Sequence, residues 1–270
     1  MPLALDVVLV DDSPQGMIVV DSSNWRGIAT SCPRASIQDL KGRGEAQRTG
    51  IYFLWGPDPE LENETRVYVG EGVNIWDRVS DHLQKKEWWK RVVIISSNSM
   101  SHGLSKSHIQ YLESKSYLEI NRIGLATTKQ NEPKMPILKE SDQIICETFY
   151  EGMLNVLPIF GFQFLNQITV NAEPGSDAPG YIFEVNSEAK GVSARAVPLE
   201  GGIMILAGST ASKNDTPSWT SGKEKRNQLI KDGALEDNGE ILEFTRNVPL
   251  NSPSMASNIV LARQTPGFSG

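Results

Sequence analysis

Cysteine is scarce in this chain of 270 residues; there are two, Cys32 and Cys146. They lie far apart with no metal-type spacing. That excludes a disulfide-stapled miniprotein and a cysteine-held zinc, and it points to reduced thiols in a cytoplasmic setting. Long apolar runs are missing as well: no stretch of about 18 apolar residues occurs, so no membrane-spanning helix and no membrane partner is expected. The apolar start, Met1 to Val10, is short, lacks basic residues and runs into Asp11-Asp12, so it reads as a strand rather than a signal peptide. Nor is there an excess of positive charge. Lys and Arg number 26 against 33 Asp and Glu, a net charge of −7, which argues against a protein that coats nucleic acid through bulk charge. The length suffices for two or three small domains with real cores.

What the chain does contain is concentrated between residues 47 and 133. Gly50-Ile51-Tyr52 and Tyr68-Val69-Gly70 each put a tyrosine on an extended run, and a loop rich in Pro, Asp and Glu, residues 57–64, separates them. Two such runs read as an antiparallel hairpin with a long connection. Asn74 is a plausible N-cap, followed by Ile75, Val79 and Leu83 at the i, i+4, i+8 spacing of a buried helical stripe. Arg78 and His82 lie on the margin of that stripe, where a side chain can leave the core and enter a cleft. A second helix is expected from near Ser105, with Ile109, Leu112, Ser116, Tyr117 and Ile120 on one face and Glu113 in its middle. A carboxylate aimed at a core is costly unless it is paired or bound to a cation. An ion pair with Arg78 and a metal ligand both satisfy that condition.

The local charge balance departs from the global one. From His82 to Asn131 eight Lys and Arg face three acids. Lys85, Lys86, Lys90, Arg91, Lys106 and Lys115 are candidates for nucleic-acid contact, with Trp88-Trp89 set among them. Cations beside aromatics suit backbone tracking and base stacking; buried tryptophans under a solvated lysine face give the same pattern.

The ordered set of the two triplets, Arg78, His82, Glu113 and Asn131 resembles the GIY-YIG endonuclease family. The resemblance implies an α/β (α+β) nuclease core, with a three-stranded antiparallel sheet (Gly50–Trp55, Arg66–Gly70, Arg91–Ser96) flanked by helices. It also implies a metal-dependent cut in DNA. Glu113 would hold Mg²⁺ (or Mn²⁺), a hard cation that takes its other ligands from water and substrate phosphate. Arg78 would donate to the phosphate oxygens as charge builds. Tyr52 or Tyr68 would orient and deprotonate the attacking water, the sequence leaving open which. His82 and Asn131 would orient these groups or the phosphate. Glu71 stands directly after the second triplet, where many members of the family carry a lysine. It can add a carboxylate to the metal site or cap the next helix, and it favours, as an alternative function, a module that kept the fold and lost the chemistry.

Flanking segments carry no catalytic set. Residues 1–46 read as a β-rich extension, with strands at Leu5–Val10, Gly16–Asp21 and Gly27–Thr30 and a helical stretch at Ser36–Lys41. Residues 134–179 read as a connecting helix from Ser141 to Pro158 and a linker at 171–180. Residues 180–270 read as a separate α+β module: strands at Tyr181–Val185, Gly191–Ala196, Gly202–Leu206 and Ile241–Thr245, a basic helix Lys223–Lys231, and a helix Ser254–Leu261 capped by Ser252-Pro253. This last segment resembles a small domain of unknown function often found behind such nuclease domains, either a DNA-recognition surface or a recruiter of protein partners.

Overall fold

A computed structural model describes residues 4–61, 64–99, 103–165, 183–199, 202–217, 219–220 and 222–263. The described residues fall into two units, the first within Met1–Arg122 and Ala126–Asn166, the second within Ile123–Leu125 and Gln167–Gly270.

The first unit is built on β4 (Gly50–Pro57), whose run Ile51-Tyr52-Phe53-Leu54 is buried throughout. A strand with no polar face must be covered on both sides. β4 lies between β5 (Thr65–Gly72) and β6 (Arg91–Ser97), both antiparallel to it. Alternate residues go to opposite layers. Ile51, Phe53, Val67, Val69, Val93 and Ile95 face a core closed by α2 (Lys106–Ile123) and α3 (Glu140–Val156). Tyr52, Leu54, Val92 and Ile94 face a second core closed by Ile75, Trp76 and Val79 of α1 (Ile75–Lys85). The Asn74 side chain caps α1, accepting from the Asp77 N–H at 3.3 Å.

The N-terminal residues do not stand apart as the sequence suggested. β1 (Asp6–Leu9), β2 (Ile18–Asp21) and β3 (Gly27–Pro33) continue the same sheet in the order β1-β2-β3-β6-β4-β5. β6 would otherwise expose a row of unpaired backbone groups, and β3 covers them from Gly27↔Ser97 to Pro33↔Arg91. The expected helix at 36–41 is a 3-10 segment, Arg34–Gly42. The helix after Ser141 packs on the sheet within this unit, with Cys146, Phe149, Tyr150 and Met153 buried.

The second unit has its own core. β7 (Phe183–Ser187), β8 (Val192–Leu199), β9 (Gly202–Ile205) and β13 (Val248–Leu250) form one antiparallel sheet. β10 (Thr210–Ser212), β11 (Leu235–Asn238) and β12 (Ile241–Phe244) form another. Residues of α5 (Pro253–Leu261) fill the core between them, and Ser252 caps that helix at 3.1 Å from the Met255 N–H. α4 (Lys223–Lys231) matches the basic helix read from sequence, but the linker at 171–180 lies outside the described residues. Among the described residues no helix is long and apolar enough to cross a membrane. The molecule is thus a mixed α+β chain of antiparallel sheets and packed helices.

Candidate functional site

The pairing of β4 with β5 sets Tyr52 opposite Gly70 and Leu54 opposite Tyr68, so both tyrosines emerge on the side that α1 covers. A Cβ at Gly70 would lie 2.3 Å from Tyr52 Cζ and Oη. Glycine at that position is therefore what lets the Tyr52 ring lie across β5. The two tyrosine rings stack at 6.2 Å and 25°. His82 closes the group from α1: its ring meets Tyr68 edge-on at 4.8 Å, and its Nε2 is 2.9 Å from the Tyr52 hydroxyl. Arg78 lies one helical turn before His82 on α1, and its charge acts on the Tyr52 hydroxyl. Lys86, just past the end of α1, holds its ammonium 4.6 Å above the Tyr68 ring.

Burial governs the protonation of this cluster. It raises the Tyr52 pKa, with Tyr68 adding to the effect and Arg78 opposing it. Tyr68 is likewise raised by burial and then by the Glu113 charge. Both phenols are therefore neutral near pH 7. Burial, followed by the Lys86 and Arg78 charges, drops His82 to about 4, so its imidazole is neutral as well. Burial pushes Glu113 up to about 7, helped by the neighbouring Glu71 carboxylate and opposed by Lys106 and Arg78. Glu71 Oε1 accepts from Lys106 Nζ, while Glu71 Oε2 is buried without a hydrogen bond. Two carboxylates thus press on each other here. Among the described residues no group of three or more His, Cys, Asp or Glu is placed to hold a metal.

Tyr52, Tyr68, Arg78, His82 and Glu113 therefore come together. Asn131 does not: it is exposed, and among the described residues no hydrogen bond joins it to the cluster. Its neighbour Gln130 has a clear structural task, since its Oε1 accepts from Val69 N and its Nε2 donates to Val69 O, both at 2.8 Å.

The basic residues divide. Lys90 is exposed, Lys106 is half-exposed, and Lys85 makes a loose pair with Asp81 at 3.9 Å. Arg91 is instead committed inward, donating to Ser31 Oγ at 2.8 Å and to the Gly16 and Gln15 carbonyls. Lys115 is bound by Glu147, with its ammonium 4.7 Å from the Tyr150 ring. Two residues from Glu113 on α2, it points about 200° away around the helix. Both leave the set of candidate DNA contacts. Trp89 is a core residue, fully buried under the Arg34 guanidinium, and Trp88 is half-buried. In the second unit Arg226 of the basic helix is internal, donating to the Ser212 and Ile259 carbonyls beside Trp219.

Sequence reasoning missed the Gln130 bracket and the Glu71–Lys106 pair. No local spacing signals either, since Lys106 lies 35 residues from Glu71 and Gln130 lies 61 from Val69.

No curated protein and no solved structure matches this chain. Residues 183–269 match the family model described as a domain of unknown function, DUF4357.

Proposed function

We propose that residues 47–133 form a divalent-metal-dependent endonuclease that hydrolyses DNA phosphodiesters, on the GIY-YIG plan that the motif order resembles. The observation that carries this reading is the convergence of two tyrosines, a neutral histidine, an arginine and a strained carboxylate at one margin of the sheet. Perturbed titratable groups gathered in this way mark functional sites.

The residues fit a hard cation. Glu113 would hold it, since the unbonded Glu71 Oε2 and the mutual repulsion of the two carboxylates are both relieved by positive charge. Such an ion supplies charge neutralisation at the phosphate and keeps several waters. Arg78 donates to the non-bridging oxygens, where negative charge grows in the transition state.

The two tyrosines have different places at the site. Tyr52 is fully buried with its hydroxyl on His82, whereas Tyr68 is half-buried and meets solvent. Tyr68 is therefore the group that faces the attacking water. A neutral phenol acts as a base only by passing its own proton on. The Tyr68 ring stacks on that of Tyr52 at 6.2 Å, and the Tyr52 hydroxyl meets the neutral His82 at 2.9 Å.

The test is nicking of supercoiled plasmid with Mg²⁺ or Mn²⁺, with and without chelator, by wild type and Glu113→Gln. Metal-dependent nicking lost in the variant is the expected result; no cleavage under any condition refutes it. A second reading, a nucleic-acid-binding module with weakened chemistry, is favoured by one observation: Lys106 already neutralises Glu71 where a cation would act. DNA binding without cleavage would select it.

A further inference from the structure

Lys106 and Glu113 are seven residues apart on α2, which at 3.6 residues per turn returns them to one side of the helix, two turns apart. Glu71, near the end of β5, meets that side and accepts from Lys106 Nζ. The two ends of the pair differ: the Glu71 side chain is 14 % exposed and that of Lys106 is 53 %. A pair between two mobile surface side chains fixes little. Here the carboxylate is set in the wall, so the ammonium is held in a defined place with an open side. An ammonium has three N–H donors, and Glu71 takes one. Lys106 thus stands two turns before Glu113, the carboxylate assigned to the metal, on the same side of α2.

We propose that Lys106 grips a phosphate of bound DNA beside the Glu113 pocket and that Glu71 is the positioning residue that holds it there. This rests on the endonuclease reading above. It has an unusual consequence: Glu71, a negative group next to a polyanion, favours DNA binding, because without it the lysine is a free chain that must be ordered on each encounter.

The test is binding of a DNA duplex in chelator across a salt series, with kcat and KM measured in Mg²⁺. The proteins are wild type, Lys106→Met, Lys106→Arg, Glu71→Gln and the double variant Glu71→Gln/Lys106→Met. Lys106→Met is expected to weaken binding about tenfold, the loss of one charge-assisted hydrogen bond, and to reduce the salt slope by about 0.9. Lys106→Arg restores the slope. Glu71→Gln weakens binding although it removes a negative charge, and it adds nothing in the Lys106→Met background. Unchanged affinity and slope in Lys106→Met overturn the proposal, as does tighter binding in Glu71→Gln or an undiminished effect in the double variant. If wild type cleaves DNA while the variants match it, only this proposal falls. If wild type neither binds nor cleaves DNA, the endonuclease reading falls and takes the proposal with it.

Discussion

Alanine in place of Gly70 tests the packing that assembles the tyrosine cluster. The added methyl would sit 2.3 Å from Cζ and Oη of Tyr52 and 2.8 Å from Cε2. The ring has no free direction in which to yield, because Tyr68 stacks on it and its hydroxyl is fixed by His82. Overpacking of this kind costs about 1–3 kcal/mol. Expelling the hydroxyl from His82 adds about 0.5–1.5 kcal/mol. The expected loss is therefore about 1.5–4.5 kcal/mol. Urea unfolding followed by tryptophan fluorescence suits the measurement, since Trp25, Trp55, Trp76, Trp88 and Trp89 belong to this unit and Trp219 alone to the other. Gly44→Ala is the control, with its nearest neighbouring atom at 4.0 Å. A second control puts Gly70→Ala into a Tyr52→Leu background, where most of the penalty should vanish. A Gly70→Ala protein within about 0.5 kcal/mol of wild type, the range of ordinary surface changes, would refute the reasoning.

Other expectations follow from the same site and from the second unit. Glu113→Gln should abolish metal-dependent nicking while duplex binding in chelator stays largely intact; retained nicking would remove Glu113 from the metal. Arg78→Ala should lower kcat more than it raises KM, by two to three orders of magnitude for a loss of about 2.7–4 kcal/mol; a pure KM effect would make Arg78 a docking residue. His82 takes up a proton below about 6.5 when unfolded but only below about 4 when folded. The unfolded chain thus binds more protons in that window, and the stability His82 contributes is lost as pH falls through it. The urea midpoint should fall more steeply from pH 7 to 4.5 in wild type than in His82→Gln; parallel curves would contradict the shift. Arg226→Met leaves two buried carbonyls without their donor and should destabilise the second unit by about 1–3 kcal/mol, read as a lower calorimetric transition; an unchanged transition would show that water replaces the guanidinium.

Local signals were the readable part of the fold. Asn74 before an apolar stripe gave α1 its start, and Ser252-Pro253 did the same for α5, because a cap is settled by a few neighbouring residues. The two tyrosine triplets read as a hairpin, and β4 and β5 pair in that way. Pairings distant in sequence left no such mark: nothing near Gly27 shows that it will meet Ser97, so the N-terminal strands read as a separate extension. Basic residues were the hardest to sort. Lys90 and Arg91 look alike in a charge count, yet one is exposed and the other is spent on carbonyls of the β1–β2 turn. Lys115 and Arg226 were masked in the same way by partners tens of residues away. At the site, the motif order brought five of its six residues together in space. Asn131 stayed outside because the neighbouring Gln130, not it, is turned onto β5.

That turn of Gln130 bears on how the molecule meets copies of itself. The outer margin of β5 is met by the protein's own later chain: Thr127 exchanges backbone hydrogen bonds with Thr65 and Val67, and the Gln130 amide imitates one more peptide unit opposite Val69. From Thr65 to Val69 a foreign strand finds no row of free donors and acceptors, so that stretch of the margin is closed to the template-driven growth to which open sheets are prone. β1, at the far end of the sheet, has Val7 and Val8 about half-exposed and no further strand beside it among the described residues. Within this sheet, strand addition by another folded molecule would begin at β1 and leave the tyrosine cluster accessible, so association of that kind is compatible with whatever activity the cluster has.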